Sequence, residues 1–498
     1  MMDADESALP RLTRDLPVES TPLQNPLPER ILQFGAGNFL RGFAGWMVQT
    51  LNTQGLFQGS IVIVEATGSG HGTALNAQQG LYTTILRGVR DGQLVDERQL
   101  IQCVRRVLNP YQDSAWLETA TQPEIRFIVS NTTEAGIARD PADALSARPS
   151  PSFPGKLAQW LYARYTHFRG DPRRAVVVLP CELIENNGRA LQALVLDLAD
   201  AWSLPEGFST WLREACLFTN TLVDRIVTGY PADAAALCRE LGYEDARMVV
   251  AEPYHSWIIE GPQSLEQELP LQAAGLNVLW TDDASPYREC KVRILNGAHT
   301  AMAIVGTLAG LQTVGECMTH PAMRAFLQNL LVEEIQPTLQ LPEETIESFT
   351  NSVLERFQNP FLEHQLASIL LNAFSKFQAR LLGPLTENLS ASGNIPPRLT
   401  FVLAALLALY RPDSVHQSKL RDAPKIFETL HAIWSATPDP PTVPLTAQLL
   451  ADASLWPRNL TRLHPNLVEH VATDLSSLLC ENTDRSARLF AHRLFSPS

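Results

Sequence analysis

The sequence predicts an α/β fold in its N-terminal part and a mainly helical domain in its C-terminal part. Two observations carry this prediction. From residue 30, an apolar strand, a Gly-x-Gly turn, a helical run and a second apolar strand closed by an acid follow one another. This is the order of a Rossmann-type dinucleotide-binding unit. After Pro286, strand-like alternation nearly ceases, and apolar residues recur at the three- and four-residue spacing of helices.

The length of 498 residues is enough for two or three domains. We expect a loosely ordered lead-in at residues 1–28, which hold five prolines, a Rossmann-type domain at 29–285 and a helical domain at 286–498. Within the helical domain, apolar periodicity predicts helices near residues 287–309, 319–334, 343–356, 361–381, 397–411, 417–435 and 465–494.

The Gly-x-Gly turn is the predicted site of the cofactor's pyrophosphate. Gly35 permits the tight turn, Gly37 lets the phosphates approach the backbone, and the start of the next helix supplies N–H groups. Position 40, where the usual third glycine would fall, is Leu40. Glu65 closes the second strand, where a carboxylate would accept the ribose hydroxyls of NAD and repel the 2′-phosphate of NADP. The predicted cofactor-binding residues of this unit are Gly35, Ala36, Gly37, Asn38, Phe39, Arg41 and Glu65.

Polar segments follow two further predicted strands. Asn131 and Thr132 come directly after the strand at 124–130, and Pro180 to Gly188 follow the wholly apolar strand at 175–179. In an α/β sheet, ligands bind outside the carboxyl ends of the strands, so we add Asn131 and Thr132 to the cofactor site. Between them and the first unit, residues 80–95 alternate like a hairpin with an Asp91-Gly92 turn.

A third group of polar residues lies in the helical run that starts near residue 287. At about 100° per residue, Lys291, Asn296 and His299 fall within an arc of about 140° on one helix face. Lysine can act as a general acid or base, an amide can donate to a developing alkoxide, and an imidazole can hold a hydroxyl. A surface lysine, a polar cap and a core histidine would give the same pattern, and the nucleotide site favours the catalytic interpretation.

Composition narrows the function classes. A formal charge of −14 argues against nucleic acid and anionic membranes as partners. The seven scattered cysteines suggest neither a zinc site nor a disulfide framework, and we expect no metal. The first residues lack the apolar stretch of a signal peptide, and the apolar run at 401–410 is too short to span a bilayer. We therefore expect a soluble cytoplasmic protein, a monomer or simple homo-oligomer, with a small-molecule substrate.

Several segments together resemble one known family. They are ILQFGAGNFLR, GLYTTILRG, SNTTEAGI, PCELIENNG, NTLVDRIVTGYP and KVRILNGAHT. On these segments the chain is similar to the mannitol dehydrogenase family of metal-independent, polyol-specific long-chain dehydrogenases, from about residue 29 onward. The resemblance implies NAD as cofactor, with Asp224 in its site. It also implies Lys291 as catalytic acid and base, Asn296 polarising the carbonyl, His299 orienting substrate and Lys376 binding it.

Two departures from the family pattern bear on the substrate. Leu183 stands where relatives that act on neutral polyols have asparagine, so Asn131 or Asn186 would have to replace that amide. Ser368 stands where they have arginine. Both changes fit a hexuronate ketose and its aldonate, whose carboxylate needs a cation. The candidate substrate-binding residues are Lys376, Asn186 and His364. We expect Lys376, His364 and Arg380 to share one helix, with Arg380 on its exposed face.

Two alternatives remain open. A related enzyme for another uronate or for a neutral hexitol would use the same catalytic groups with a different pocket. A non-catalytic NAD-binding module would have no need of the lysine, asparagine and histidine set. A nucleophilic role for Cys181 is disfavoured, because no histidine lies in the same segment and buried thiols are common.

Overall fold

The computed structural model describes residues 9–16, 27–68, 71–112, 114–132, 136–391, 393–436 and 443–479. Its internal contacts divide the chain into two compact units, Met1–Ala284 and Ser285–Ser498. We call them unit 1 and unit 2.

Unit 1 is built on a six-stranded parallel sheet, which confirms the predicted α/β fold. The strands of the unit are β1 Glu29–Phe34, β2 Ser60–Val64, β3 Tyr82–Arg90, β4 Gln93–Ile101, β5 Val104–Leu108, β6 Phe127–Ser130, β7 Val177–Pro180, β8 Leu217–Phe218, β9 Asn220–Asp224, β10 Val227–Gly229, β11 Val249–Ala251, β12 Ser256–Glu260 and β13 Val278–Thr281. The order in the main sheet is β5-β2-β1-β6-β7-β8, with every neighbouring pair parallel. The order reverses between β1 and β6, and ligands bind at such a switch point.

Two smaller sheets complete unit 1. The predicted hairpin is confirmed: β3 and β4 pair along nine residues, and both turn residues, Asp91 and Gly92, have positive φ. β11 joins the edge of β3 in parallel, and β10 pairs with β11 to make four strands. The third sheet has the order β13-β12-β9. The pairing of β11 with β3 and the pairing of β12 with β9 were not predicted, because each joins strands far apart in sequence.

The main sheet is buried on both faces, which explains its nearly continuous apolar strands. Residues of one face, among them Leu32 and Phe34, pack in a cluster with the helix Phe153–Phe168. Residues of the other face, among them Ile31 and Ile63, pack with the helix that follows the glycine turn. The helices of unit 1, including short 3-10 and π segments, are Asn38–Leu40, Arg41–Gly45, Trp46–Thr53, His71–Ala77, Ala115–Glu118, Thr119–Thr121, Phe153–Phe168, Pro172–Arg174, Asn187–Ala201, Glu206–Glu214, Ala234–Leu241 and Gln263–Gln267.

The N-terminal lead-in differs from the prediction where the structure describes it. Leu12 is fully buried, and its backbone N–H donates to Glu244 O at 2.9 Å. Arg14 donates to the carbonyls of Gln102 and Val104. Residues 9–16 are therefore packed onto unit 1, although prolines and weak periodicity suggested loose order. Residues 1–8 and 17–26 of the predicted lead-in lie outside the described residues.

The named elements of unit 2 are all helical, as predicted. They are Ser285–Lys291, Val292–Asn296, Gly297–Leu308, Val314–Thr319, Pro321–Asn329, Leu330–Ile335, Gln336–Thr338, Glu343–Arg356, Leu366–Ile369, Ala373–Arg380, Leu382–Ala391, Pro397–Leu409, Gln417–Lys419, Pro424–Ser435, Val443–Ala451, Leu460–Arg462 and Leu467–Leu479. Pro397–Leu409 is buried from Arg398 to Leu409 and forms the centre of the unit's core. No helix among the described residues is long and apolar enough to cross a membrane.

Two helices predicted in unit 2 are each interrupted in the structure. The helix predicted at 417–435 is the 3-10 turn Gln417–Lys419 followed by Pro424–Ser435. The helix predicted at 361–381 is two helices, because Asn372 has a φ of 56° and interrupts the helical path between them. The helices Leu382–Ala391 and Val443–Ala451 were not predicted. The helix predicted at 465–494 is described only as Leu467–Leu479, and residues 480–494 lie outside the described part.

Candidate active site

The glycine turn lies at the carboxyl edge of the main sheet, beside β6. Gly35 has a φ of +107°, and a Cβ there would stand 3.3 Å from the carbonyl oxygen of Asn131. The position thus needs glycine for both conformation and space. Gly37 and Asn38 are exposed at the start of the helix, and a Cβ on Gly37 would meet no atom within 4 Å. The N–H groups of this helix start are therefore open to a phosphate, and the turn fits the pyrophosphate of NAD.

Arg41 supports the turn from the buried side. Its side chain donates to Ala36 O at 2.5 Å and to Asn38 Oδ1 at 2.8 Å, and the residue is only 2% exposed. Burial, and secondarily Arg247, lower the pKa of Arg41 to about 10. Of the predicted cofactor residues, Arg41 thus holds the shape of the turn. Phe39 is half-buried and stacks on Phe43.

Glu65 lies at the end of β2, as the sequence predicts, and is 3% exposed. One carboxylate oxygen accepts the backbone N–H of Gly72. A Cβ on Gly72 would come 2.5 Å from Val107 Cγ1, so only glycine permits this close approach. The other carboxylate oxygen makes no hydrogen bond to the described residues. One oxygen of Glu65 thus fixes the following loop.

Two polar segments follow β6 and β7, and we call residues 131–132 and 181–187 the polar lip. The amide of Asn131 donates to Cys181 O at 2.7 Å. The backbone and hydroxyl of Thr132 both donate to one oxygen of Glu182, and Ser130 donates to the other. Burial raises the pKa of Glu182 despite these donors. The lip is therefore a cross-linked polar edge beside the glycine turn.

Asn187 organises the second half of the lip, and sequence reasoning missed it. The residue is fully buried. Its Nδ2 donates to the carbonyls of Pro180, Glu182 and Thr221 at 2.9, 3.0 and 3.2 Å. Its Oδ1 accepts the N–H groups of Gly188 and Thr221, both at 2.9 Å. An asparagine pair before a glycine at a helix start was the available signal, since such residues favour helix N-termini.

The remaining predicted residues of unit 1 are placed as follows. Leu183 is 61% exposed. Asn186 is half-buried, has a φ of 51°, and its side chain makes no capping bond. Asp224 is buried at the end of β9. The next residue, Arg225, donates to Gly42 O at 2.9 Å and ties this segment to the helix after the glycine turn.

In unit 2, Lys291, Asn296 and His299 lie on one continuous helix. We call Ser285–Lys291, Val292–Asn296 and Gly297–Leu308 together the Lys291 helix, and its middle segment is a π turn. A π turn closes between residues five apart. Lys291 and Asn296 are five apart, so the π turn brings them nearer to one line than an α-helix would. All three side chains are half-buried.

His299 is enclosed by two rings. It packs on Phe357 with ring centroids 4.4 Å apart, and His364 meets it edge-on at 5.2 Å. Burial, and then the charge of Lys376, lower the pKa of His364 below its ordinary 6.5. Both effects favour the neutral imidazole of His364, which can donate or accept a hydrogen bond. His364 lies before the helix Leu366–Ile369, whereas the sequence placed it on the same helix as Lys376. The fold, rather than a shared helix, brings the two residues together.

We call Ala373–Arg380 the Lys376 helix. It starts at Asn372, and Asp422 accepts bonds from Phe374 N and Ser375 Oγ in its first turn. Lys376 Nζ donates to Ile369 O at 2.8 Å. Burial, and then Arg380, lower the pKa of Lys376. Ser368, in contrast, is exposed and bonds Gln365 O.

Within the described residues, no group of three or more histidine, cysteine or acidic side chains is placed to hold a metal ion. Cys181 is fully buried, and burial raises the pKa of its thiol well above the ordinary value. This disfavours a nucleophilic role.

Comparisons with known proteins agree with this architecture. Family models described as the mannitol dehydrogenase Rossmann domain and the mannitol dehydrogenase C-terminal domain match residues 29–273 and 283–479. The chain is 44% identical over 453 residues to a curated altronate oxidoreductase of Bacillus subtilis, which covers 91% of this chain and 93% of the relative. An altronate oxidoreductase of Escherichia coli K12 is 44% identical over 458 residues, covering 91% and 95%.

Two solved structures share the fold. A mannitol 2-dehydrogenase of Pseudomonas fluorescens, in a ternary complex with NAD and D-mannitol, has a TM-score of 0.63 at 23% identity and covers 95% of each chain. A substrate-free D-sorbitol dehydrogenase has a TM-score of 0.74 at 23% identity, covering 93% of this chain and 95% of that one.

Proposed function

Since this chain belongs to the mannitol dehydrogenase family, we propose that it interconverts D-tagaturonate and D-altronate with NAD, a reaction of hexuronate catabolism. The identity to curated altronate oxidoreductases across nine-tenths of the chain carries this proposal. The cationic cluster of unit 2 supports it, because half-buried Lys376 and Arg380 lie one helix turn apart and suit a carboxylate.

The chemistry assigns a role to each group of the Lys291 helix. NADH, when bound, supplies the hydride that forms the new C–H bond at the ketone carbon. As the C=O electron pair moves to oxygen, the ammonium of Lys291 gives that oxygen its proton. In the reverse direction, neutral Lys291 takes the hydroxyl proton of the aldonate. The amide of Asn296 donates to the partial oxyanion, an effect worth about 3 kcal/mol at comparable sites.

The substrate's other groups are assigned to the residues around His299. His299, held between Phe357 and His364, orients a substrate hydroxyl. His364 and Lys376 of unit 2 are proposed to bind the substrate as well, and Asn186 of unit 1 is a further candidate. The turn residues Gly35 to Phe39, with Asn131, Thr132 and Asp224, are proposed to bind the cofactor.

A side-by-side assay of tagaturonate, fructuronate and fructose, each with NADH and NADPH, tests the proposal. We expect the highest kcat/KM for tagaturonate with NADH. A preference for fructuronate would make the enzyme a mannonate dehydrogenase, and a preference for fructose a mannitol-type dehydrogenase. Absence of turnover on all three would favour a non-catalytic NAD-binding module.

Glu65 is expected to make NADH the preferred cofactor, because its second carboxylate oxygen would meet the 2′-phosphate of NADPH. Glu65→Ser should narrow the ratio of kcat/KM between NADH and NADPH. Glu65→Gln is the matched control, since an amide oxygen can still accept the Gly72 N–H but carries no charge. If only the serine variant changes the ratio, the loop bond matters and the charge does not. Equal use of both cofactors by the wild type would contradict the assignment.

Lys376→Met is expected to lower kcat/KM for tagaturonate at least about tenfold, because losing one partner of a buried charge pair costs about 2–5 kcal/mol. Activity on neutral fructose should fall less. The exposed Lys419 of the same unit provides the control variant Lys419→Met. Equal losses on both substrates would show that Lys376 binds a hydroxyl that the two share.

We further propose that the enzyme acts in the cytoplasm as a monomer or simple homo-oligomer. The six described cysteines are all free and buried, which suits a reducing compartment. Light scattering of the purified protein measures the oligomeric state directly.

A further inference from the structure

Arg380 is half-buried at the end of the Lys376 helix and is directed toward the Lys291 helix. Its Nη1 donates to Thr300 Oγ1 at 3.0 Å and to Asn296 O at 3.4 Å. The sequence placed Arg380 on an exposed helix face. That expectation is wrong, because the guanidinium reaches the Lys291 helix and is half-buried there.

The other two nitrogens of Arg380 are available. Nε and Nη2 make no hydrogen bond to the described residues. Neither nitrogen is fully buried, so a ligand can reach both. These two nitrogens form one edge of the guanidinium plane, and such an edge binds a carboxylate through two parallel hydrogen bonds. The bonds of Nη1 fix the plane in advance, so little conformational entropy remains to be lost on binding.

The surrounding charges also fit an anion. Two other arginines of unit 2 with little exposed side chain, Arg293 and Arg398, each form ion pairs with two glutamates. No described acid forms an ion pair with Arg380. Lys376 lies four residues earlier on the same helix, where like charges repel. Burial lowers the pKa of Arg380, and burial together with Arg380 lowers the pKa of Lys376. A bound carboxylate would relieve both effects.

We propose that Arg380 determines specificity by binding the substrate carboxylate side-on through Nε and Nη2, thereby selecting ketose acids over neutral ketoses. This inference rests on the proposed function and identifies the group that recognises the acid end. Lys376 adds positive charge near the substrate carboxylate. Its ammonium already donates to Ile369 O, however, and it offers no planar pair of donors.

The test compares wild type, Arg380→Gln and Arg380→Lys, with Arg462→Gln as a control at an exposed arginine of the same unit. Each is assayed with tagaturonate and NADH, and the inhibition constant of D-altronate is measured against tagaturonate. Arg380→Gln should raise the KM for tagaturonate and the Ki of altronate at least about tenfold, with a much smaller change in kcat and none in the KM for NADH. Arg380→Lys should give intermediate values of KM and Ki, because lysine keeps the positive charge but lacks the planar pair of N–H donors.

Two results would overturn this inference without affecting the proposed function, provided that the wild type is active on tagaturonate. In the first, Arg380→Gln leaves the KM for tagaturonate and the Ki of altronate unchanged. In the second, Arg380→Gln lowers kcat while this KM and this Ki stay constant. The second result would show that Arg380 only holds the Lys376 helix against the Lys291 helix. If Arg380→Gln does not fold, by circular dichroism, the lysine variant decides through the same KM and Ki. A wild type inactive on every uronate ketose would overturn the proposed function, and this inference with it.

Discussion

Lys291→Ala is expected to lower kcat for tagaturonate reduction by ~10²–10⁴-fold, the usual contribution of a positioned acid or base. Without the ammonium, the ketone oxygen must take its proton from water as the hydride arrives. The proposed cofactor-binding residues all lie in unit 1, so the Kd for NADH should stay at the wild-type value. Stopped-flow single turnovers with NADH fluorescence measure both quantities in one experiment.

The control for this variant is Lys425→Ala, which removes an exposed lysine of the same unit. Retention of more than about a tenth of the wild-type kcat in Lys291→Ala would exclude Lys291 as the principal proton donor, given the usual size of the effect. A parallel loss of NADH binding would show that the substitution acts through the cofactor rather than through proton transfer.

Asn187→Ala is expected to lower the free energy of unfolding by about 3 kcal/mol or more, because each buried polar group left without a partner costs about 1–3 kcal/mol. The substitution removes the acceptor of the Gly188 and Thr221 N–H groups. It also removes one donor from three carbonyls, of which Pro180 O and Glu182 O keep another donor. Alanine is also too small to fill the space of the amide in a closely packed interior. Urea unfolding followed by circular dichroism measures the change.

Asn186→Gly serves as the matched control for Asn187→Ala. It removes the neighbouring amide, which makes no capping bond, at a position whose positive φ glycine adopts without strain. We expect its unfolding free energy to stay close to that of wild type. An Asn187→Ala protein as stable as Asn186→Gly would mean that water replaces the lost bonds and that the polar lip does not depend on this side chain.

Strand patterns allowed the architecture of unit 1 to be predicted from sequence, because a parallel sheet buried on both faces requires apolar runs with polar ends. The main strands, the Asp91-Gly92 hairpin turn and the position of Glu65 all follow from local patterns of this kind. The pairing of β11 with β3 did not, since no local signal reports which distant strands meet. The packing of Leu12 was missed for the same reason.

In unit 2 most of the long helices were predictable, and the breaks between helices were not. Asn372 interrupts one helix through a single positive φ, which asparagine tolerates but does not require. Asn372 separates the helix Leu366–Ile369 from the Lys376 helix, and His364 precedes both helices. Asn187 was missed because an amide that satisfies five buried backbone groups has the same sequence appearance as one in a solvated loop.

Because Val292–Asn296 is a π turn, the alignment of Lys291 with Asn296 depends on how this segment is wound and not on the side chains within it. Removing one residue from this segment, whatever its side chain, would restore the ordinary helical winding. Lys291 and Asn296 would then be four residues apart, and at about 100° per residue they would still lie within about 40° of one line. Single-residue insertions and deletions are usually tolerated on exposed loops and rejected in helices. A one-residue gap at this point in a comparison of distant homologues would therefore mark the gain or loss of the π turn, with the lysine and the asparagine kept on the same face.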